Sequence, residues 1–215
     1  MSSFILKLIA IITMTIDHLG YVVYGKISWM NYIGRLAFPI FAWQISLGFQ
    51  KTKDVKLYAF RLLISAIITQ PIYMLYMTSI GASMVNMSLN VIFTLLAALI
   101  CLMIIEKSKV IGTVLSIFIL GIADIFKFEY GIYGILVVLI FYLFRNNKVL
   151  LILMQALNLF GYYLFEHGTV QIYSIISILM IVLSYNNQKG KSLKYLFYLF
   201  YPLQFLILYF LNMFI

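Results

Sequence analysis

Ionisable side chains stand within or beside apolar stretches of this sequence at five places: Asp17, His18, Arg35, Asp124, and the adjacent pair Glu166 and His167. Inside a bilayer such groups cost a few kcal/mol each on insertion scales, so those that persist usually face a cavity or a charged partner. A histidine can also transfer a proton near neutral pH. The pair Glu166 and His167 precedes Gly168, where a solvated loop is the favoured interpretation.

Asp17 and His18 are adjacent, so on a helix their side chains diverge by about 100°. They precede the end of the first apolar run by about six residues, which places them roughly 9 Å below that surface. Arg35 begins the next run at a similar depth, so Asp17 or Asp124 could neutralise it. Two interpretations stay open, a structural ion-pair network with a hydrogen-bonded His18, or a polar site that moves protons.

Uncharged polar residues form a second group within or at the ends of the apolar runs. Asn90 and Thr94 are four residues apart and share a helix face, and Gln70 precedes Pro71. Asn158, Gln171 and Gln204 are further amides within or at the ends of the runs. For all of these polar residues, a hydrogen-bonded bridge between helices is the default interpretation.

The apolar runs that carry these residues predict an all-α fold. The 215 residues are 65% hydrophobic and 10% charged, with a mean hydropathy of +1.07, which leaves too little polar material to cover a soluble globule. We predict one transmembrane domain over residues 1–215, a bundle of about nine helices. The predicted spans are 4–24, 31–50, 58–78, 88–105, 110–124, 130–144, 149–165, 170–185 and 195–214. The short fifth and sixth runs are either two tilted spans or a re-entrant pair.

Basic residues fix the predicted orientation, because Lys and Arg are retained in cytoplasmic loops. Eleven of the 15 basic residues fall in one alternate set of loops, so we expect the amino terminus on the cytoplasmic side. The protein is expected to be a multi-pass protein of the cytoplasmic membrane. This retention explains the net charge of +9 without a nucleic-acid partner. The single cysteine, Cys101, excludes a disulfide framework, and no metal site is predicted.

Several motifs resemble the TraX family of membrane proteins over nearly the whole chain. They are IDHLG at 16–20, GRLAFPIFA at 34–42, Gly48 with Phe49, Arg61, Gln70 with Pro71, Leu89 with Asn90 and Thr94, Asp124 followed by YGIYG at 130–134, and KYLFYLFYP at 194–202. TraX proteins commonly have His at the position of Gln204, so no base is expected there in this chain.

The resemblance implies acyl transfer, with acetyl-CoA as donor and a pilin or exported peptide amino terminus, or a hydroxyl such as that of a glycan, as acceptor. His18 would be the base or a transient acyl carrier, with Asp17 or Asp124 setting its tautomer. Arg35 would hold a cofactor phosphate or the developing oxyanion, and Asn90 would orient the acceptor. Arg61, Gln70, Thr94 and Asp124 complete the expected substrate-binding and cofactor-binding set.

Two rival functions use the same residues. A small transporter or channel would use the charges of Asp17, His18 and Arg35 as a proton or ion relay. An assembly factor would pack against a pilin or exported peptide and catalyse nothing.

Overall fold

The computed structural model describes residues 1–84, 87–166, 169–188 and 194–214. Within these ranges the regular structure is helical, and the one bridge between extended residues pairs Leu89 with Phe128. The all-α fold class is therefore confirmed. The helices are α1 (Ser3–Tyr24), α2 (Trp29–Gly34), α3 (Ala37–Lys51), α4 (Val55–Ser79), α5 (Val91–Lys107), α6 (Lys109–Ile125), α7 (Gly131–Leu143), α8 (Lys148–Glu166), α9 (Ser174–Ser184) and α10 (Lys194–Phe214), with a 3₁₀ segment at Thr169–Tyr173.

Each predicted span overlaps one of these helices, except that the second overlaps both α2 and α3. That span was predicted over 31–50, and its helix is interrupted between Gly34 and Ala37. Pro39 explains the break, because a proline has no N–H to donate to the carbonyl four residues earlier, which is that of Arg35. The interruption places Arg35 at a turn.

Helix length divides the fold into long and short elements. α1, α4 and α8 are each long and apolar enough to cross a bilayer. α7 has only 13 residues, about 20 Å at 1.5 Å per residue, which is less than the roughly 30 Å of hydrocarbon. Its side chains are nevertheless among the most buried, with Ile135, Val137 and Val138 fully enclosed. α7 is thus a central packing helix against α3, α5 and α8.

The periphery is strongly apolar. Val110 and Phe118 on α6 are 77% and 66% exposed, and Phe165 on α8 is 85% exposed. A soluble protein rarely exposes so much contiguous apolar surface, whereas a bilayer solvates it. The charged and polar side chains singled out in the sequence lie mainly on the inner helices α1, α3, α4, α5 and α10.

Candidate functional site

Asp17, His18 and Arg35 line one cavity of about 230 Å³, near the end of the bundle where α1 finishes. α1 supplies the first two, and the turn between α2 and α3 supplies Arg35. Other polar groups of this wall are Glu129 and the hydroxyls of four tyrosines, Tyr21, Tyr73, Tyr76 and Tyr130. We call this space the polar cavity.

Asp17 is the acidic partner of Arg35. Arg35 Nη2 lies 3.4 Å from Asp17 Oδ1, and Asn31 Nδ2 donates to the same oxygen at 3.2 Å. The remaining contacts of the guanidinium are with the hydroxyls of Tyr21 and Tyr130, each at 3.4 Å. All three Arg35 contacts are at the long limit of hydrogen bonding, so the guanidinium can still bind a substrate oxygen.

Asp124 does not take part in this cluster. It was expected to neutralise Arg35 or to orient His18, but it lies exposed near the end of α6 and lines neither of the two main cavities. Its surroundings therefore give no support to a role in binding substrate. The acidic residue that reaches the polar cavity from this part of the chain is Glu129, five residues later.

Gly34 allows α1 and α2 to approach closely at Asp17. A Cβ at position 34 would lie 2.2 Å from the Asp17 side chain, which is far inside van der Waals contact. Any larger residue would push the carboxylate away from Arg35. The glycine in the Gly-Arg-Leu-Ala-Phe-Pro motif is thus required by the ion pair that follows it.

His18 is oriented by Gln204 on α10. Gln204 Nε2 lies 2.8 Å from His18 Nδ1 and 3.4 Å from the carbonyl oxygen of Met14. In this orientation of the Gln204 amide its nitrogen donates to Nδ1, and a neutral imidazole then carries its proton on Nε2. Asp17 or Asp124 was expected to set the tautomer, but the side chain in contact with Nδ1 is Gln204, for which the sequence predicted a bridge between helices.

Aromatic side chains enclose the imidazole. The His18 ring centroid lies 4.7 Å from that of Phe205 and 5.9 Å from that of Tyr76. Tyr76 also donates its hydroxyl proton to the backbone carbonyl of His18 at 2.8 Å. The ring is therefore held among protein side chains and not against lipid.

Glu129 is the functional candidate that sequence reasoning missed. It stands in the connection between α6 and α7, which pairs with residues 88–90 and is carried into the bundle. Its N–H donates to Leu89 O at 2.9 Å, and its Oε2 accepts from the N–H of Val91 at the start of α5. Burial raises the pKa of Glu129 to about 7, and the Val91 N–H opposes that rise. The signal available in the sequence was an acidic residue directly before the YGIYG motif.

Backbone strain accompanies Glu129. Lys127 has φ 51° and Tyr130 has φ 62°, so two non-glycine residues in this connection adopt left-handed conformations. Such strain costs of the order of 1–3 kcal/mol per residue and clusters at functional sites. Tyr130 is further fixed by stacking on Phe38, with ring centroids 4.0 Å apart.

Gln70 and Asn90 form a hydrogen-bonded group outside both cavities, which we call the amide layer, and Thr94 lies beside Glu129. Asn90 donates its side-chain amide to Gln70 Oε1 at 2.8 Å and to Ala66 O at 3.0 Å, and its Oδ1 caps α5 at Ile92. Thr94 donates to the carbonyl oxygen of Glu129. None of the three lines either main cavity, so the predicted binding roles are replaced by structural ones. The default interpretation, amides that bridge helices, is the one that the structure supports.

Arg61 lies at a second cavity of about 350 Å³, toward the opposite end of α1. Lys7, Lys51 and Arg61 contribute basic side chains to its lining, and Ser3, Gln44 and Tyr58 contribute polar ones. We call this space the basic cavity. Its charge suits an anionic group such as a phosphate.

Neighbouring residues of α1 line the two cavities. Met14 lines the basic cavity and His18 lines the polar cavity, one helical turn apart on α1. Gln204 bridges the two residues through its amide nitrogen. Val91 similarly lines the basic cavity while its N–H binds Glu129.

Of the remaining predicted features, Glu166 and Cys101 line neither cavity. Glu166 is exposed at the end of α8, and His167 lies outside the described residues. Cys101 is a buried thiol. Among the described residues no group of three or more His, Cys, Asp or Glu side chains could hold a metal ion.

Comparison with known proteins agrees with the motifs. The family model of the TraX protein matches residues 2–212. The chain is 32% identical over 171 residues to a probable fimbrial assembly protein FimC, serogroup H1, of Dichelobacter nodosus, covering 74% of this chain and 70% of the relative. No solved structure matches. Taken with its long apolar helices, the match shows that this chain is a membrane protein belonging to the TraX family.

Proposed function

We propose that this protein is a membrane-embedded acyltransferase. It transfers acetyl from acetyl-CoA to an amine, such as the amino terminus of a pilin or exported peptide, or to a hydroxyl such as that of a glycan. The observation that carries the proposal is the convergence of His18 and Arg35, from different helices, on one buried cavity. The TraX resemblance supplies the reaction class, and the fimbrial name of the relative supports a pilin-related acceptor.

The polar cavity offers donors for the oxyanion that forms when a nucleophile attacks a thioester carbonyl. Arg35 supplies a cation whose hydrogen bonds are all long. His18 supplies the Nε2 proton, because Gln204 occupies Nδ1. Fixed donors of this kind in a water-poor site stabilise developing negative charge more strongly than in water. In this assignment His18 polarises the carbonyl, and Asp17 positions Arg35.

The donor enters from the basic cavity. At about 230 Å³ the polar cavity has room for the reacting ends of two substrates and not for a nucleotide. Lys51 and Arg61 would bind phosphates at the basic cavity, and the thioester arm would pass Met14 to reach His18. The carbon–sulfur bond would then break in the polar cavity, where the acceptor attacks.

Orientation follows from the charges. With the basic cavity and the Lys-rich loops in the cytoplasm, the multi-pass chain would sit in the cytoplasmic membrane. The polar cavity would then face the outer side, so acceptors emerging there would be modified with a cytoplasmic donor.

A second candidate is a non-catalytic assembly factor, favoured by the name of the fimbrial relative. Such a protein would bind a pilin or peptide, and the charges of the polar cavity would serve only to hold the helices together. It predicts peptide binding without group transfer.

The test uses purified full-length protein in liposomes, with labelled acetyl-CoA and a peptide bearing a free amino terminus. The proposal predicts label on the peptide, and His18→Ala should reduce the rate by at least about 10²-fold, as for loss of an oxyanion donor. Asn158→Ala is a matched control, since Asn158 binds the Tyr133 carbonyl away from both cavities. Peptide binding without label transfer would support the assembly factor, and ion flux without transfer would support a transporter.

A further inference from the structure

Among the described residues, no cationic side chain forms an ion pair with Glu129 in the polar cavity. Asp17 is paired with Arg35 and also accepts from Asn31. Glu129 Oε2 accepts from Val91, and no donor in the described ranges contacts Oε1. With both carboxylates ionised, the charged lining carries two negative charges and one positive charge. A cation would complete this cavity.

Resting on the proposed function, we propose that Glu129 binds the ammonium group of the acceptor and takes its proton. This residue would make an amine, and not a hydroxyl, the acceptor class. His18 cannot fill the role in the same tautomer, because its Nδ1 accepts from Gln204 and its Nε2 already carries a proton. Glu129 and His18 line the same cavity and would contact the two reacting partners.

The step balances as follows in atoms and charge. One proton of the acceptor R–NH₃⁺ passes to the Glu129 carboxylate, which leaves a neutral amine with a free electron pair. The nitrogen attacks the thioester carbonyl, the new C–N bond forms and the C–S bond breaks. A second nitrogen proton passes to the departing sulfur, which yields an amide and a thiol. The proton on Glu129 then leaves to water and restores the carboxylate.

The surroundings of Glu129 suit a base that works near neutral pH. Burial raises its pKa to about 7, and an ideal general base has a pKa near the working pH. Asp17, His18 and Arg35 are the other charged or titratable groups of the cavity, together with Tyr21, Tyr73, Tyr76 and Tyr130, and Tyr201 lies nearby on α10. The carboxylate is held in place by Val91 and by the strained connection, so it needs little reorganisation.

The first experiment compares two acceptors in the wild type and in Glu129→Gln. One is a peptide amine that is an ammonium ion at the assay pH, and the other is a fluorinated alkylamine that is already neutral. The transfer rate of the variant should fall by about 10²-fold or more with the ammonium acceptor, which is the usual contribution of a general base. With the neutral acceptor it should fall much less. Because glutamine keeps an oxygen for the Val91 N–H, α5 should stay anchored, and thermal unfolding in detergent checks this.

The pH profile separates a base from a structural residue. In the wild type, kcat/KM for the peptide amine should rise with pH through about 7, as Glu129 loses its proton. In Glu129→Gln this rise of kcat/KM should move to the pKa of the acceptor amine itself. In Glu129→Asp a rise near neutral pH should remain. A purely structural defect would lower the transfer rates with both acceptors and leave the rise of kcat/KM at the same pH.

Outcomes for the two proposals are distinguishable. If Glu129→Gln loses the same fraction of its transfer rate with both acceptors, or keeps a normal rate and pH profile, the role proposed for Glu129 is overturned. Transfer by the wild-type protein would still uphold the acyltransferase. Transfer to alcohols that matches transfer to amines would overturn the amine preference. If the wild-type protein transfers no label to any acceptor, the proposed function itself fails.

Discussion

Two groups of polar residues lie close together in this bundle and behave differently. In the polar cavity, Arg35 makes only long contacts and Glu129 keeps one carboxylate oxygen unpartnered among the described residues. In the neighbouring amide layer, Asn90 makes three short hydrogen bonds to Gln70 and Ala66, and it caps α5 as well. Both groups are polar residues in apolar surroundings, and only the first has unused capacity facing a space. That difference, more than polarity itself, separates a candidate site from a structural bridge.

The largest expected effect comes from Arg35. Arg35→Gln should lower the rate of label transfer by about 10²- to 10³-fold, because it removes a cation from the oxyanion. The rate is measured with saturating acetyl-CoA. Since an unpaired Asp17 would also destabilise the fold, Arg35→Lys serves as a control that keeps the charge. Full activity in Arg35→Gln would place the cavity in the same class as the amide layer.

Gln204 should have a smaller effect. Gln204→Met keeps the volume of the side chain but removes the donor to His18 Nδ1. Loss of one buried hydrogen bond of about 1–1.5 kcal/mol corresponds to a roughly tenfold lower kcat. The KM for acetyl-CoA should stay unchanged. An increase in rate would instead mean that Gln204 restrains a histidine that acts as a base.

Arg61 tests the basic cavity independently of the chemistry. Arg61→Gln should raise the KM for acetyl-CoA by roughly tenfold with kcat unchanged, the pattern of lost uniform binding. Lys107→Gln is the matched control, since Lys107 is an exposed basic residue at the end of α5 outside both cavities. A lower kcat with unchanged KM would remove Arg61 from the donor site.

The smallest effect on rate is expected for the amide layer. Asn90→Ala removes the cap of α5 and the bonds to Gln70 and Ala66, which should cost about 1–3 kcal/mol of stability. Transfer per folded molecule should change by less than about threefold. Thermal unfolding and the rate are measured on the same preparation. A loss comparable with that of Arg35→Gln would restore the binding role predicted for Asn90 from the sequence.

Much of the architecture was predictable, because long apolar runs define helices by composition alone. The interruption at Arg35 could also have been predicted, since Pro39 cannot donate to the Arg35 carbonyl. The similar depth of Asp17, His18 and Arg35 was predictable, because the depths of adjacent antiparallel helices can be counted from their common end. The partner of His18 was not predictable, because Gln204 is 186 residues away and nothing local indicates the contact.

Asp124 and Glu129 show the limit most clearly. Counting residues placed Asp124 inside a span and Glu129 in a loop, so Asp124 received the functional role. The structure reverses this, since the connection after α6 folds back against residues 88–90 and carries Glu129 into the bundle. A pairing between segments almost 40 residues apart depends on tertiary contacts and leaves no periodic pattern in the sequence.

The most direct test of the central claim is the ratio of two transfer rates, those of His18→Ala and Asn90→Ala, measured in the same liposomes with labelled acetyl-CoA and a peptide amine. Each rate is normalised to folded protein. The arrangement of the polar cavity predicts that His18→Ala is slower than Asn90→Ala by at least about 10²-fold. Of these two side chains, only the imidazole of His18 lines the cavity where the reaction would occur. Equal rates would contradict the role of His18 in the transfer and would place the imidazole in the same structural class as the amide layer.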